Sequence, residues 1–235
     1  MRKISVLLAA YCGEAYIAEQ VASILPQLEA HDELLVSDDS PEGETAARTI
    51  VLSFEDPRVR YMAGPRQCST TKNIAFLLGR ANGDIFVLCD QDDVWLPGKL
   101  AKTRELLNRA EPALLHHDAY TTDEHLNKTG RTHARPGLLR NLLRNSYTGC
   151  CMAFTKELLP HVLPFPQNIP MHDQWIGLRA ERHGHVQFLD EPLILWRRHT
   201  GTQTGKGSRF TQKIVWRLQM ARALTKKRGA KGGCK

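Results

Sequence analysis

The chain has 235 residues, 42% of them hydrophobic and 24% charged, which suits one large α/β domain or two small ones and excludes wholesale disorder. Its net charge of +7 is uneven: no acidic residue follows Glu191, whereas twelve lysines and arginines lie in residues 197–235. The first 191 residues carry 20 basic and 25 acidic groups, so no nucleic-acid footprint is expected on the body, and the basic tail points to an anionic membrane surface.

Residues 4–10 form a near-continuous apolar run, the pattern of a parallel strand covered on both faces. Gly13 breaks it, and residues 14–29 follow with Ile17, Val21, Ile24, Leu25 and Leu28 at helical spacing. A second strand is predicted at 33–37, ending in Asp38-Asp39-Ser40-Pro41, then a helix at 44–54 and a third strand at 58–62. Residues 68–80 read as a helix with Ile74, Leu77 and Leu78 inward. The fourth strand is 84–89, and a helix at 97–108 has Pro97 in a favoured first-turn position. Alternation of this kind predicts a doubly wound sheet whose ligand crevice is built by loops at the carboxyl ends of the strands.

Beyond Pro112 the pattern loosens. Strands are predicted at 113–120, 150–155, 186–189 and 193–197, with helices at 137–144 and 171–182. His172 and Asp173 fall in the first turn of the last helix. His116-His117-Asp118 would alternate across a strand, so a shared ion is not expected there. Residues 208–224 form a basic amphipathic helix: Phe210, Ile214, Leu218 and Ala221 make an apolar stripe beside Arg209, Lys213 and Arg217. That reads as a membrane-surface element, or else as a helix packed on the body. Residues 226–235, basic and glycine-rich, are expected to be disordered.

The chemistry concentrates where the fourth strand ends, at Asp90-Gln91-Asp92-Asp93-Val94-Trp95. Two converging carboxylates repel unless a cation lies between them, and a hard divalent ion is the usual partner. Asp93 reads as a helix cap or supporting acid. The six cysteines show no C-x-x-C pair or framework spacing, as in a reducing compartment. No run approaches the roughly 20 apolar residues that span a bilayer, and the apolar run after Met1-Arg2-Lys3 is too short for a signal peptide. A cytoplasmic protein, peripheral on the inner face of the cell membrane, is expected.

Ser5-Val6-Leu7-Leu8-Ala9-Ala10-Tyr11-Cys12-Gly13-Glu14, Val36-Ser37-Asp38-Asp39-Ser40 and the Asp-Gln-Asp-Asp-Val-Trp segment resemble glycosyltransferase family 2 enzymes of GT-A fold. Thr148-Gly149-Cys150 and His172-Asp173-Gln174-Trp175 are similar to the rhamnosyltransferase-like branch acting on bacterial surface polysaccharides. The resemblance implies a GT-A domain over 1–205, with a nucleotide-binding half at 1–112 and an acceptor-binding half at 113–205, followed by the helix and tail at 206–235. The implied fold is α/β, a mixed and mostly parallel sheet flanked by helices.

It also implies roles. Asp38 and Asp39 would meet the base, Tyr11 and Glu14 would flank base and ribose, and Lys72 and Asn73 would lie near the nucleotide. Asp90 and Asp92 would hold the nucleotide and Mg2+ or Mn2+, with His199 either a third metal ligand or a contact to the diphosphate. Arg197 or Arg198 would face the diphosphate. Asp173 would be the catalytic base of an inverting transfer, and Trp95, Thr148, Gly149, His172, Gln174 and Trp175 would line the acceptor or sugar pocket. Relatives commonly have Asn where Cys12 stands and Gly where Ser40-Pro41 begins, which leaves UDP and dTDP donors both open. The implied partners are a nucleotide-sugar donor and a glycan or lipid-linked glycan acceptor. Two other readings compete: a sugar-phosphate nucleotidyltransferase, disfavoured by an acidic and nearly glycine-free first loop, and a non-enzymatic basic binding protein.

Overall fold

The structure, a computed structural model, describes residues 1–41, 46–167, 169–200 and 210–225. Strand β1 (Ile4–Ala10) shows why the first half is a covered sheet. Its even residues Ile4, Val6, Leu8 and Ala10 join one core with Ile17, Val21 and Ile24 of helix α1 (Ile17–Ile24). Leu7 points the other way, into a second core with Ile74 and Leu77 of α3 (Thr70–Leu78). Continuous hydrophobicity is therefore required, because both faces of the strand meet helices.

β1 pairs in parallel with β2 (Glu33–Asp38) and β4 (Ile85–Asp90), and β2 with β3 (Val59–Ala63). Helix α2 (Ala46–Leu52) connects β2 to β3 and buries Ala47 and Val51. The register levels the strand ends, pairing Ala10 with Asp38 and Ala9 with Asp90. Acids that are far apart in sequence thus arrive at one sheet edge.

The full sheet has the order β3-β2-β1-β4-β8-β6-β9-β5, with β7 on β6. Here β5 is Val94–Trp95, β6 Ala113–Thr122, β7 Lys128–Arg131, β8 Met152–Thr155 and β9 His185–Arg197. β8 runs antiparallel between β4 and β6, while β6 and β9 are parallel. The two strands expected at 186–189 and 193–197 are one strand. Its register against β6 slips around Asp118, a bulge that turns Asp190 outward. The short elements β5, β7 and α6 (Leu159–Val162) were not expected; β7 is exposed along its length and has no apolar alternation to announce it.

Helices α5 (Leu138–Leu143) and α7 (His172–His183) follow the expected positions, whereas α4 (Lys99–Leu106) starts after a Gly98 N-cap, which leaves Pro97 in the preceding turn and not in the first helical turn expected for it. The C-terminal helix α8 (Phe210–Thr225) packs on the body, but by an edge other than the expected stripe. Met220 and Leu224 enter the second core, whereas Ile214 and Leu218 stay exposed. Arg182 donates to the Leu224 carbonyl at 3.0 Å and Arg217 to the Leu143 carbonyl at 2.6 Å. The disorder expected at 226–235 lies outside the described residues. Docking of α8 predicts that Met220→Ala lowers unfolding stability by about 2–4 kcal/mol. Chemical denaturation checks this, and an unchanged midpoint would mean that the helix is not part of the folded body.

Candidate active site

The loops leaving β1, β2 and β4 are tied to one another before any ligand is considered. The Gln91 side chain clamps Tyr11, accepting its N–H at 2.7 Å and donating to its carbonyl at 2.9 Å. A Cβ on Gly13 would lie 2.2 Å from Gln91 Oε1, so this clamp needs a glycine. Cys12 has a φ of +48°, in the left-handed region where Asn is better tolerated than most residues, and its N–H donates to Ser40 Oγ at 2.8 Å.

Asp38 accepts from the Ser40 N–H at 3.0 Å and hydroxyl at 2.5 Å, and from the Tyr61 hydroxyl at 2.7 Å. Asp39 takes the backbone N–H groups of Gln67 at 3.1 Å and Ser69 at 3.0 Å. Asn73 donates to the Ser37 carbonyl at 2.9 Å and to the Ala10 carbonyl at 3.4 Å. Asp38, Asp39 and Asn73 are buried and frame the crevice. Tyr11 and Lys72 are exposed at its mouth, and Glu14 is half-buried at the approach to α1.

The acids that end β4 divide by depth. Asp90 is partly exposed; desolvation, then Asp92 and Asp173, push its pKa up to about 7. Asp92 is accessible and has an Oδ2 2.9 Å from His199 Nε2. Asp93 is wholly buried, accepts the Arg197 N–H at 3.1 Å, and has its pKa driven well up by burial and by its two neighbouring acids. It does not cap α4, whose N-cap is Gly98 at φ +87°.

Beneath them sits Lys99, 1% exposed, its Nζ donating to the Cys150 carbonyl at 2.8 Å and lying 4.1 Å from the Trp95 ring centroid. Burial lowers its pKa, whereas nearby thiols and Asp93 raise it. Trp95 is therefore a buried support for a cation and does not line the pocket.

Arg197 is also redirected. Its Nε donates to the Asp92 carbonyl at 2.8 Å and its Nη1 to the Glu124 carbonyl at 2.6 Å; Nη2 pairs with Glu19, and the guanidinium lies over Tyr16. These contacts make it a clamp on the acidic loop, in place of the expected diphosphate ligand. Arg198 stacks on Trp196 at 4.6 Å and is half-buried.

Across the crevice, Asp173 begins α7, where a carboxylate also suits the helix dipole. Its Oδ1 accepts the Gln174 N–H at 2.6 Å, and Asn145 Nδ2 lies 3.4 Å from its Oδ2. Desolvation raises its pKa against the opposing influence of His172. A Cβ on Gly149 would stand 3.1 Å from His172 Nε2, so the missing side chain lets the imidazole and the start of α7 approach the backbone here. Thr148 donates its N–H to His116 Nε2 at 3.1 Å. Gln174 and Trp175 turn inward and line no pocket: Gln174 donates to the Asn141 carbonyl at 2.7 Å, and Trp175 Nε1 to the Val162 carbonyl at 2.9 Å.

His116 and His117 do face apart. His116 packs against Tyr147 and Phe188, and His117 Nδ1 meets the Asp118 carbonyl. Asp118, His133 and Asp190 bring three donors together, but Arg131 already pairs with both carboxylates. A cavity of about 660 Å³ lies at the opposite end of the strands, among Arg2, Asp84 and Arg104. Its walls are interlocked by ion pairs, Arg2 with Glu157 and Arg104 with Asp32.

Asp92 Oδ2 and His199 Nε2 are in contact and Asp90 lies near enough to repel Asp92, so these side chains offer oxygen and nitrogen donors of the kind a divalent cation takes, but the three do not gather into one tight cluster. Asp90, Asp93 and Cys150 are mutually close, but Asp93 and Cys150 are fully buried and the thiol is a poor ligand for a hard ion.

The family profile described as "Glycosyl transferase family 2" matches residues 5–163. The chain belongs to that family. It is accordingly a glycosyltransferase. Over 190 residues it is 26% identical to the Escherichia coli UDP-Glc:alpha-D-GlcNAc-diphosphoundecaprenol beta-1,3-glucosyltransferase WfgD, covering 80% of this chain and 73% of WfgD. With the Shigella flexneri dTDP-rhamnosyl transferase RfbG it shares 25% identity over 226 residues, 88% of this chain and 76% of RfbG.

The fold is similar to that of Staphylococcus aureus TarS 1-349 in complex with UDP-GlcNAc, at a TM-score of 0.72 and 16% identity; the match spans 93% of this chain and 66% of TarS 1-349. It also resembles Mycobacterium tuberculosis glucosyl-3-phosphoglycerate synthase with Mn2+, UDP and phosphoglyceric acid, at a TM-score of 0.60 and 21% identity, over 95% of this chain and 77% of that one. The sheet is thus a GT-A-like α/β fold.

Gln91, Lys99 and Asn145 were not singled out from the sequence. Gln91 lay in plain view inside the acidic motif, and Lys99 follows it in Pro97-Gly98-Lys99, but neither spacing reveals a side chain's depth. Burial of Lys99 predicts that Lys99→Met costs about 3–5 kcal/mol at neutral pH. Asp90 has a raised folded-state pKa, so its protonated form favours folding below about pH 4, and that contribution is lost as pH rises to about 7. The Lys99→Met penalty should therefore shrink on acidification across this window, as denaturation at several pH values would read. A penalty independent of pH would mean that the lysine acts by packing alone.

Proposed function

We propose that this glycosyltransferase moves a sugar from a UDP- or dTDP-linked donor to a hydroxyl of a lipid-linked glycan acceptor, with inversion at the transferred carbon. The observation that carries this reading is the pairing of Asp90 with Asp173: a desolvated carboxylate at the head of α7 lies close enough to raise the pKa of the acid ending β4. A base and an anion-handling group facing one crevice are what displacement at an anomeric carbon requires.

In this reading Asp173, held by Asn145 and by the Gln174 N–H, takes the proton from the attacking hydroxyl. Its raised pKa makes it a stronger base than an ordinary carboxylate. Thr148, Gly149 and His172, the last packed against the Gly149 backbone, would form the wall met by the acceptor sugar on that side. Asp90, Asp92 and His199 would hold Mg2+ or Mn2+, which supplies charge stabilisation to the departing diphosphate. Tyr11, Glu14 and Lys72 flank the nucleotide, Asp38, Asp39 and Asn73 shape its floor, and Arg198 is the remaining arginine for the diphosphate.

Residues 1–112 then serve the donor and residues 113–205 the acceptor. WfgD, named for glucose transfer to a diphosphoundecaprenol-linked acceptor, and RfbG, named for dTDP-rhamnose chemistry, support a surface-polysaccharide role, with glucose and rhamnose the first donors to try. A lipid-linked acceptor and a basic C-terminus together favour work at the inner face of the cell membrane.

Two substitutions test the reading against a panel of UDP- and dTDP-sugars. Asp173→Asn should lower transfer about 10²–10⁴-fold while donor binding persists. Asp92→Ala should abolish the Mn2+-dependent part of donor binding measured by calorimetry. Unimpaired turnover in the first variant would remove Asp173 from catalysis; unchanged metal-dependent binding in the second would overturn the metal site.

A further inference from the structure

Among the described residues, exposed large apolar side chains gather on two touching helices. α5 shows Leu138, Leu139 and Leu143, with Leu139 74% and Leu143 61% exposed. α8 shows Ile214, Val215 and Leu218, the last 54% exposed. The Arg217 guanidinium joins the helices by donating to the Leu143 carbonyl. Exposed Arg140, Arg144 and Lys213 stand around these side chains, and neither helix carries an acidic residue.

The apolar residues of α8 divide into two sets with different partners. Met220 and Leu224 satisfy the body, so Ile214, Val215 and Leu218 are not needed to hold the helix in place. Isolated exposed leucines are ordinary, but six large apolar groups on adjoining helices with a basic surround are an interaction surface. No described helix is long and apolar enough to cross a membrane, which leaves a surface contact.

We propose that α5 and α8 form one docking face for an anionic lipid bilayer, an inference that rests on the lipid-linked acceptor reading above and extends it to a helix outside the basic tail. The charge selects this occupant. A second copy meeting the same face would set Arg140, Arg144, Lys213 and Arg217 against their own counterparts with no acid to offset them. Anionic headgroups accept those cations while the leucines enter the boundary between headgroups and acyl chains. The position also matters: α5 runs directly into Asn145, which touches Asp173. Docking by α5 therefore turns the acceptor wall of the crevice toward lipid.

The test is vesicle co-sedimentation of the full chain, with phosphatidylcholine alone and with about a third phosphatidylglycerol, at low and high salt. Wild type should partition to the anionic vesicles and be released by salt. Leu139→Ser with Leu143→Ser should weaken partitioning by roughly tenfold or more, because those side chains stay in water. Lys213→Gln should weaken it less and reduce the salt dependence. Thermal unfolding should show all variants folded, since the altered side chains are exposed.

Wild-type partitioning by the double leucine variant would overturn the α5 contribution, and failure of wild type to bind anionic vesicles would overturn the whole face. A wild-type dimer that the double variant dissolves would instead assign the face to self-association. Mn2+-dependent donor binding by calorimetry, without vesicles, tests the transferase reading separately: its failure beside intact vesicle binding would sink that reading and leave the docking face standing.

Discussion

Like charge at the carboxyl ends of the strands is the constraint on which the rest depends. Asp90, Asp92 and Asp93 come within four residues, and Asp173 faces them from another element. In a desolvated site this repulsion would open the crevice, and several devices contain it. Lys99 places a buried cation beneath Asp90 and Asp93, the Arg197 backbone holds Asp93, and the Arg197 side chain straps the Asp92 carbonyl to Glu19 and Glu124. None of these groups needs to touch a substrate. They hold the acidic loop in place, so that the space framed by the strand ends is largely made in advance.

The same economy explains why several motif residues turn inward. Asp38, Asp39 and Asn73 spend most of their hydrogen-bonding capacity on backbone groups and on Ser40 and Tyr61. A crevice built from loops must satisfy its own buried polar groups before it can offer others to a ligand. Tyr11 and Lys72 are left at the mouth because the frame beneath them is already closed.

The first four strands and their helices were legible because buried parallel strands and amphipathic helices leave different periods in a sequence, as the Ile4–Ala10 run and the Ile17-Val21-Ile24 spacing do. The acids that end β2 and β4 were expected at one sheet edge from motif order, and the strand register brings them there. Depth was not legible. Trp95, Gln174 and Trp175 look like pocket residues when read in line, and only the packing of Lys99, α5 and Val162 against them shows that they face inward. Arg197 misled for a related reason: a basic residue near a predicted anion site is indistinguishable from a clamp until its backbone partners are known. β7 was missed because a wholly exposed strand has no apolar alternation.

The second half of the molecule holds Asp173, the proposed base, in a different way from the acids of the first half. β4 supplies its acids from the end of a rigid central strand, whereas Asp173 depends on a loop. Asn145 reaches that carboxylate, Tyr147 is pinned between Asn145 and Glu181, and Gly177 leaves room for the Tyr147 ring, whose atoms would lie 2.3 Å from a Cβ there. The loop starts at α5, the helix that touches α8 and leaves its leucines outside. Movement at that surface would be felt first at Asn145 and Tyr147, and only then at Asp173, while the central acids stay fixed by the sheet. In the proposed reading, the Asp173 side would respond to what α5 and α8 rest on while the acids of β4 would not. That division is what a water-borne donor and a surface-held acceptor would call for.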